Sequence, residues 1–199
     1  MPEPSAPHGE LTAVVAIQSA LAGRPGVLAL ARGLSYFGEH GIGWLVVSLL
    51  GSLTHPQRAR AWLLAGAGAF TAHAAAVLVK RVVRRPRPQH PAVAVNVGTP
   101  SRLSFPSAHA SSTTAAALLL GRISGTPLAI ALVPPMALSR IVLGVHYPSD
   151  VAAGAAVGAC VAAFAIGLDR RLPGDAGRLR LRGAAERRDA GTTVSVPHE

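Results

Sequence analysis

Apolar residues fall in long runs separated by short polar links. Leu11–Ala22 reads as a helix of moderate hydropathy. Arg24-Pro25-Gly26 breaks it, and Val27–Leu34 resumes with Arg32 inside. This pair is either interfacial or a poor first span. His40–Leu53 is plainly apolar, though short of the roughly 20 residues a span needs. The polar link Thr54–Arg60 leads into Ala61–Val79, a strong span with small residues on its packing faces and His73 inside. An intramembrane histidine is a functional candidate, with helix packing as the plain alternative. Residues 80–106 form a long polar loop, a length usually functional or disordered. Ser107–Leu120, Thr126–Val145 and Val151–Leu168 read as three further helices, and Pro134-Pro135 should kink the middle one.

The expected fold is therefore all-α, a polytopic membrane helix bundle of five to six spans. Residues 1–10 read as a disordered N-terminus, 11–168 as the membrane-embedded domain, and 169–199 as a basic cytoplasmic tail, also disordered. Composition agrees with this. Half of the 199 residues are hydrophobic, only 14% are charged, and Ala, Val, Leu and Gly dominate over aromatics. The net charge of +10 fits juxtamembrane arginines; no motif for reading nucleic acid appears, so no nucleic-acid partner is expected. A single cysteine, Cys160, excludes an intramolecular disulfide and reads as a small packed hydrophobe. The polar, acidic MPEPSAPHGE stretch lacks the basic start of a cleavable signal peptide.

Charge placement sets a topology. If spans alternate, Arg58 and Arg60, Arg122, and the arginines of the tail share one side, which the positive-inside rule makes cytoplasmic. The 80–106 loop and His146–Asp150 then share the outer face of the plasma membrane. The loop's own basicity is accommodated if its cations hold phosphate.

Three polar constellations lie on that face. Lys80 and Arg87, on either side of the stop expected before Pro86, can converge on a phosphate dianion; contact with anionic lipid headgroups is the plainer reading. Ser107, Ala108 and His109 open an apolar helix. Pro106 and Ser107 are ordinary caps, yet the free N–H groups there also suit phosphate, and His109 could protonate a leaving oxygen. Arg140, His146 and Asp150 form the third group. Asp150 can orient one imidazole nitrogen and leave the other free as a nucleophile, or the pair can simply cap a helix.

Together these residues resemble the type 2 phosphatidic acid phosphatase (PAP2) superfamily, which includes the vanadium haloperoxidases. Its pattern K-x6-R-P, P-S-x-H and S-R-x5-H-x3-D is matched by Lys80–Pro88, Pro106–His109 and Ser139–Asp150. The resemblance implies roles. His146 attacks phosphorus and carries a phosphohistidine, Asp150 orients it, and His109 is the general acid. Lys80, Arg87, Ser107, Ala108 and Arg140 hold the phosphoryl oxygens. It implies no metal and no cofactor, and the chain has no clustered carboxylates. The runs Ala16–Trp44 and His90–Arg122 are similar to actinobacterial members acting on a polyprenyl-linked phosphoribose lipid destined for cell-wall arabinan. Membrane lipids are the other expected partners. Undecaprenyl diphosphate, phosphatidylglycerol phosphate and phosphatidic acid are alternative substrates. A non-catalytic polyprenyl-lipid binding protein is the alternative of another class. Phe37, Glu39, His40, Asn96, Ser101 and Arg102 are headgroup-pocket candidates by location alone.

Overall fold

The computed structural model describes residues 8–171, so most of the expected tail lies outside the described residues. Among them are seven α-helices: α1 (Glu10–Leu21), α2 (Val27–Gly38), α3 (Ile42–Thr54), α4 (Ala59–Val83), α5 (Ala108–Ser124), α6 (Leu128–Val142) and α7 (Pro148–Arg171). Short 3-10 turns at Glu39–Gly41 and Pro56–Arg58 join α2 to α3 and α3 to α4. One compact unit runs to Ala165; a second begins at Ile166, where the last described turns of α7 lie.

Side-chain size, more than polarity, separates inside from outside. On α4, Ala65, Ala69, Ala72 and Ala76 are wholly buried while Leu63, Phe70 and Leu78 are 53–62% exposed. The small face lets α4 lie close to α3 and α5, and the large apolar face is left outward. Water would not tolerate so much outward apolar surface, whereas lipid does. Cys160 belongs to this outward set: it is exposed on α7, not packed as its small neighbours suggested.

The central helix is α5, buried along nearly its whole length although rich in Ser and Thr. Most of its hydroxyls bond internally or across helices: Ser111 Oγ donates to Ser107 O, and Trp44 Nε1 of α3 donates to Thr113 Oγ1, while Thr114 Oγ1 is buried without a partner. Gly154 and Gly158 of α7 face the α5 backbone at Ser107 and Ser111, where any Cβ would collide, so the two helices meet at backbone distance.

Arg58 Nη1 donates to Ile123 O at 2.9 Å, which ties the α3–α4 and α5–α6 links together at one end of the bundle. The opposite end carries the candidate chemistry, and α1 and α2 both reach it. Val14 of α1 packs with Ala110, Ile141 and Val151. Gln18 spans two segments, donating to Ala94 O and Val142 O and accepting from Ala94 N. Ala31 of α2 packs on Leu143 and Val145, and Arg32 Nε donates to Asn96 O. Helix α1 stays at this end, whereas α2 runs on beside α6 until Gly38 lies against Met136. Glu10, expected in a disordered stretch, is the first residue of α1 and is firmly bonded, as described below.

The long loop after α4 is ordered by backbone pairing. Arg84 closes α4 in the left-handed conformation (φ 54°), one residue before the stop expected from Pro86. Pro86 then bridges to Leu103, and Ser104 N donates to Arg85 O. Further on, Asn96 N donates to Leu143 O in the turn after α6. Gly144 (φ 73°) makes that turn, and a Cβ there would strike Ala94 O. Helix α6 runs on through Pro134-Pro135.

Candidate active site

Five chain segments converge on one cavity of about 320 Å³. Lys80 comes from the last turn of α4, Arg87 from the ordered loop, Ala108 and His109 from the first turn of α5, Arg140 from the last turn of α6, and His146 from the turn into α7. All six line the cavity. Two of the expected residues do not. Asp150 lies behind His146, and Ser107 is wholly buried beneath the α5 start.

Lys80 and Arg87 are fixed by backbone carbonyls. Lys80 Nζ donates to Ser104 O at 2.7 Å. Arg87 donates from Nε to Ser101 O and from Nη1 to Val145 O. Arg140 differs: it is 2% exposed, and its Nε and Nη1 have no hydrogen-bond partner. A buried guanidinium with spare donors at a cavity wall is poised for an oxyanion. The Ser107 hydroxyl caps α5 by accepting from Ala110 N at 3.4 Å, so the sequence's capping reading of Ser107 holds. Ala108 and His109 supply the open N–H groups of a helix start.

The partners of His146 define its tautomer. Arg87 Nη1 can only donate, so Nε2 at 3.3 Å accepts. Nδ1 therefore carries the proton and donates to Asp150 Oδ2 at 3.4 Å. Burial, together with the charges of Arg87, Lys80 and Arg140, holds the His146 imidazole well below its usual pKa. The ring is thus neutral, with its Nε2 lone pair toward the cavity. Burial likewise pushes the Arg87 guanidinium down from its ordinary value. Across the cavity, His109 Nε2 donates to Ser35 O at 3.0 Å.

One element escaped sequence reasoning. Arg85 Nη1 donates to Asp150 Oδ1 at 3.0 Å and to Ser149 Oγ at 2.6 Å, while Nη2 donates to Glu10 Oε2 at 2.6 Å. Glu10 also accepts from Ser149 N and Ser149 Oγ. The Arg85 guanidinium stacks on Tyr147, 4.0 Å from the ring centre. Asp150 Oδ2 additionally accepts from Tyr147 N. The carboxylate behind His146 is thereby held from both sides. The spacing between Glu10, Arg85 and Ser149 spans most of the chain, so no local signal exists; only the position of Arg85 between Lys80 and Arg87 pointed at it.

Of the headgroup candidates, Glu39, His40 and Ser101 line the cavity, and His73 joins them. Phe37 packs edge-on against Trp44 at 4.8 Å, and Asn96 Nδ2 donates to Ala94 O. Neither they nor Arg102 line it.

This arrangement can grip a phosphoryl group, attack it from His146 and protonate the departing oxygen from His109. Comparison with known proteins bears on that chemistry. The PAP2 superfamily model matches residues 60–172. The chain is 71% identical over 159 residues to decaprenylphosphoryl-5-phosphoribose phosphatase of Mycobacterium tuberculosis, covering 80% of this chain and 90% of that protein. It is 66% identical over 149 residues to the protein of the same name from Mycolicibacterium smegmatis, covering 75% and 83%. Among solved structures, it is similar to a transmembrane PAP2-type phosphatidylglycerolphosphate phosphatase from Bacillus subtilis, with a TM-score of 0.65 and 21% identity over 81% of this chain and 87% of that one. A bacterial vanadium-dependent iodoperoxidase shares the fold at a TM-score of 0.62 and 19% identity, covering 84% and 51%.

Proposed function

The chain belongs to the PAP2 superfamily, and on that premise we propose that it is an integral-membrane phosphatase removing the 5-phosphate of decaprenylphosphoryl-5-phosphoribose. The observation that carries the substrate is the identity of 71% to a relative bearing that activity in its name, over 80% of this chain and 90% of that one. The local geometry supplies a mechanism. Arg140, Lys80, Arg87 and the N–H groups of Ala108 and His109 hold the phosphoryl oxygens. His146 Nε2 forms a bond to phosphorus as the P–O5 bond breaks, and protonated His109 passes its proton to the departing oxygen. Water then forms a new O–P bond, the N–P bond breaks, and His109 takes up the water's proton. Asp150 stays ionised throughout and supports the charge on His146.

The membrane arrangement is part of the same reading. Two helical stretches, Pro56–Val83 and Pro148–Arg171, are long and apolar enough to cross a bilayer. With α1 at the site end, α2 and the 13-residue α3 follow one another through the bundle, and α4 to α7 make the further crossings. The end tied by Arg58 and Ile123 faces the cytoplasm with Arg60 and Arg122, and the site opens on the outer face. The substrate's anchor then stays in the leaflet while its phosphate enters the cavity.

Purified protein given decaprenylphosphoryl-5-phosphoribose and undecaprenyl diphosphate side by side should show the higher kcat/KM on the former. A preference for the diphosphate would refute the substrate while leaving the chemistry intact.

A further inference from the structure

The cavity has two unlike halves. Lys80, Arg87 and Arg140 make one half cationic. The other is walled by Glu39, His40 and His73, and Glu39 is the single carboxylate among the cavity's lining residues. A carboxylate weakens a phosphate dianion's binding unless it faces another part of the ligand. Glu39 Oε2 lies 3.9 Å from His109 Nε2. Glu39 therefore lies on the His109 side of the cavity, within electrostatic reach of Arg87 and Arg140 as well.

The backbone is built to hold it there. His40 adopts the left-handed conformation (φ 52°, ψ 13°), which sets the corner between α2 and α3. Gly38, just before, lies against the His109 ring, with its ideal Cβ position 2.6 Å from Cδ2. The corner between α2 and α3 is thus pinned to the acid. His40 Nδ1 is 3.6 Å from Glu39 Oε1, and the His40 and His73 rings are 6.0 Å apart. His73 Nδ1 has no hydrogen-bond partner.

We infer that Glu39, flanked by His40 and His73, forms a subsite for the vicinal hydroxyls of the sugar leaving group and sets the enzyme's choice of substrate. This rests on the phosphoribose reading above and deepens it. An ionised carboxylate only accepts hydrogen bonds, and neighbouring sugar hydroxyls offer it two donors. A diphosphate substrate departs as an anionic phosphate, which offers none and is repelled. Service to His109 alone is a poorer use of Glu39. The gap of 3.9 Å is beyond hydrogen-bond reach, and the Nε2 proton is already directed to Ser35 O.

The test assays purified wild type and Glu39→Gln on decaprenylphosphoryl-5-phosphoribose, on its 2-deoxy analogue and on decaprenyl diphosphate. Wild type should favour the ribose lipid over the 2-deoxy lipid by about 30-fold in kcat/KM, the scale of one charge-assisted hydrogen bond. Glu39→Gln should erase most of that preference and raise turnover of the diphosphate. An equal loss on all three substrates with a shifted pH profile would assign Glu39 to His109 and overturn the subsite. Indifference of the wild type to the 2-hydroxyl would overturn it regardless of how the variant folds. Wild type that cleaves only the diphosphate would instead bring down the phosphoribose reading itself.

Discussion

The two halves of the cavity are built by different rules. In the phosphate half, Arg140 and His146 are each 2% exposed and Asp150 is fully buried. Each group there is held by a helix end, a backbone carbonyl or a charged side-chain partner. In the leaving-group half, the His40 side chain is 63% exposed, Glu39 is 34% exposed, and both ride on a three-residue turn. Preorganised charge is what lowers a phosphoryl-transfer barrier, and it requires rigidity. Choosing among lipid headgroups needs only a few polar atoms at the mouth. A family can therefore keep the first half and vary the second, and substrate identity cannot be read from the motif residues alone.

The comparison can be broken by substitutions in the phosphate half whose effects do not depend on substrate. Asp150→Asn should lower kcat by about 10³-fold on every substrate, since His146 loses its oriented Nδ1 proton and its counter-charge. Phosphate should still bind, seen as retained product inhibition. Arg140→Lys should cost about 10²-fold, because a point charge cannot replace the buried fork. Its loss should appear in kcat/KM on monoester and diphosphate alike. A loss confined to one substrate would show that Arg140 belongs to selection.

Arg85→Lys sharpens the picture further out. Arg85 touches Asp150, Ser149 and Glu10 and does not line the cavity, so it acts by positioning. About a 10-fold fall in kcat with KM unchanged is expected, as for other groups that orient a reacting residue. A larger change in KM than in kcat would contradict that role.

The smallest effect concerns pH. Burial and the cations Arg87, Lys80 and Arg140 depress the His146 pKa, so the nucleophile stays neutral until pH falls well below 6.5. The acid limb of kcat/KM should accordingly lie below that value. Arg87→Gln removes one of those charges, so the His146 pKa rises and the limb should move upward. A limb that stays fixed would assign it to another group.

The residues that converge on the cavity were legible in the sequence because they sit at fixed spacings around helix ends: Lys80 and Arg87 flanking a helix stop, His109 one turn into a helix, and His146 four residues before Asp150. The helices were legible from hydropathy, with errors of a few residues where a conformation was not encoded by the expected breaker. Arg84, not Pro86, ends α4. Where α1 and α2 dock was invisible to hydropathy, since it depends on Gln18 reaching Ala94 and Val142 and on Arg32 reaching Asn96. The Glu10–Arg85–Ser149 cluster was invisible for the same reason: its contacts join residues 64 to 139 positions apart. Cys160 misled because its small neighbours on α7 suggest packing, while the helix face it occupies is outward. Glu39, His40 and Ser101 stood out by location alone, and only the folded chain separates them, as cavity lining, from Phe37, Asn96 and Arg102.

The central claim is that His146 is the atom donor that takes phosphorus. Rapid acid-free quenching of purified protein turning over substrate labelled in the 5-phosphate tests it directly. Wild type should carry a base-stable, acid-labile phosphoryl label on His146, and His146→Ala should carry none and release no phosphate. Phosphate release at the wild-type rate from His146→Ala, or label on another residue of the wild type, would contradict the account.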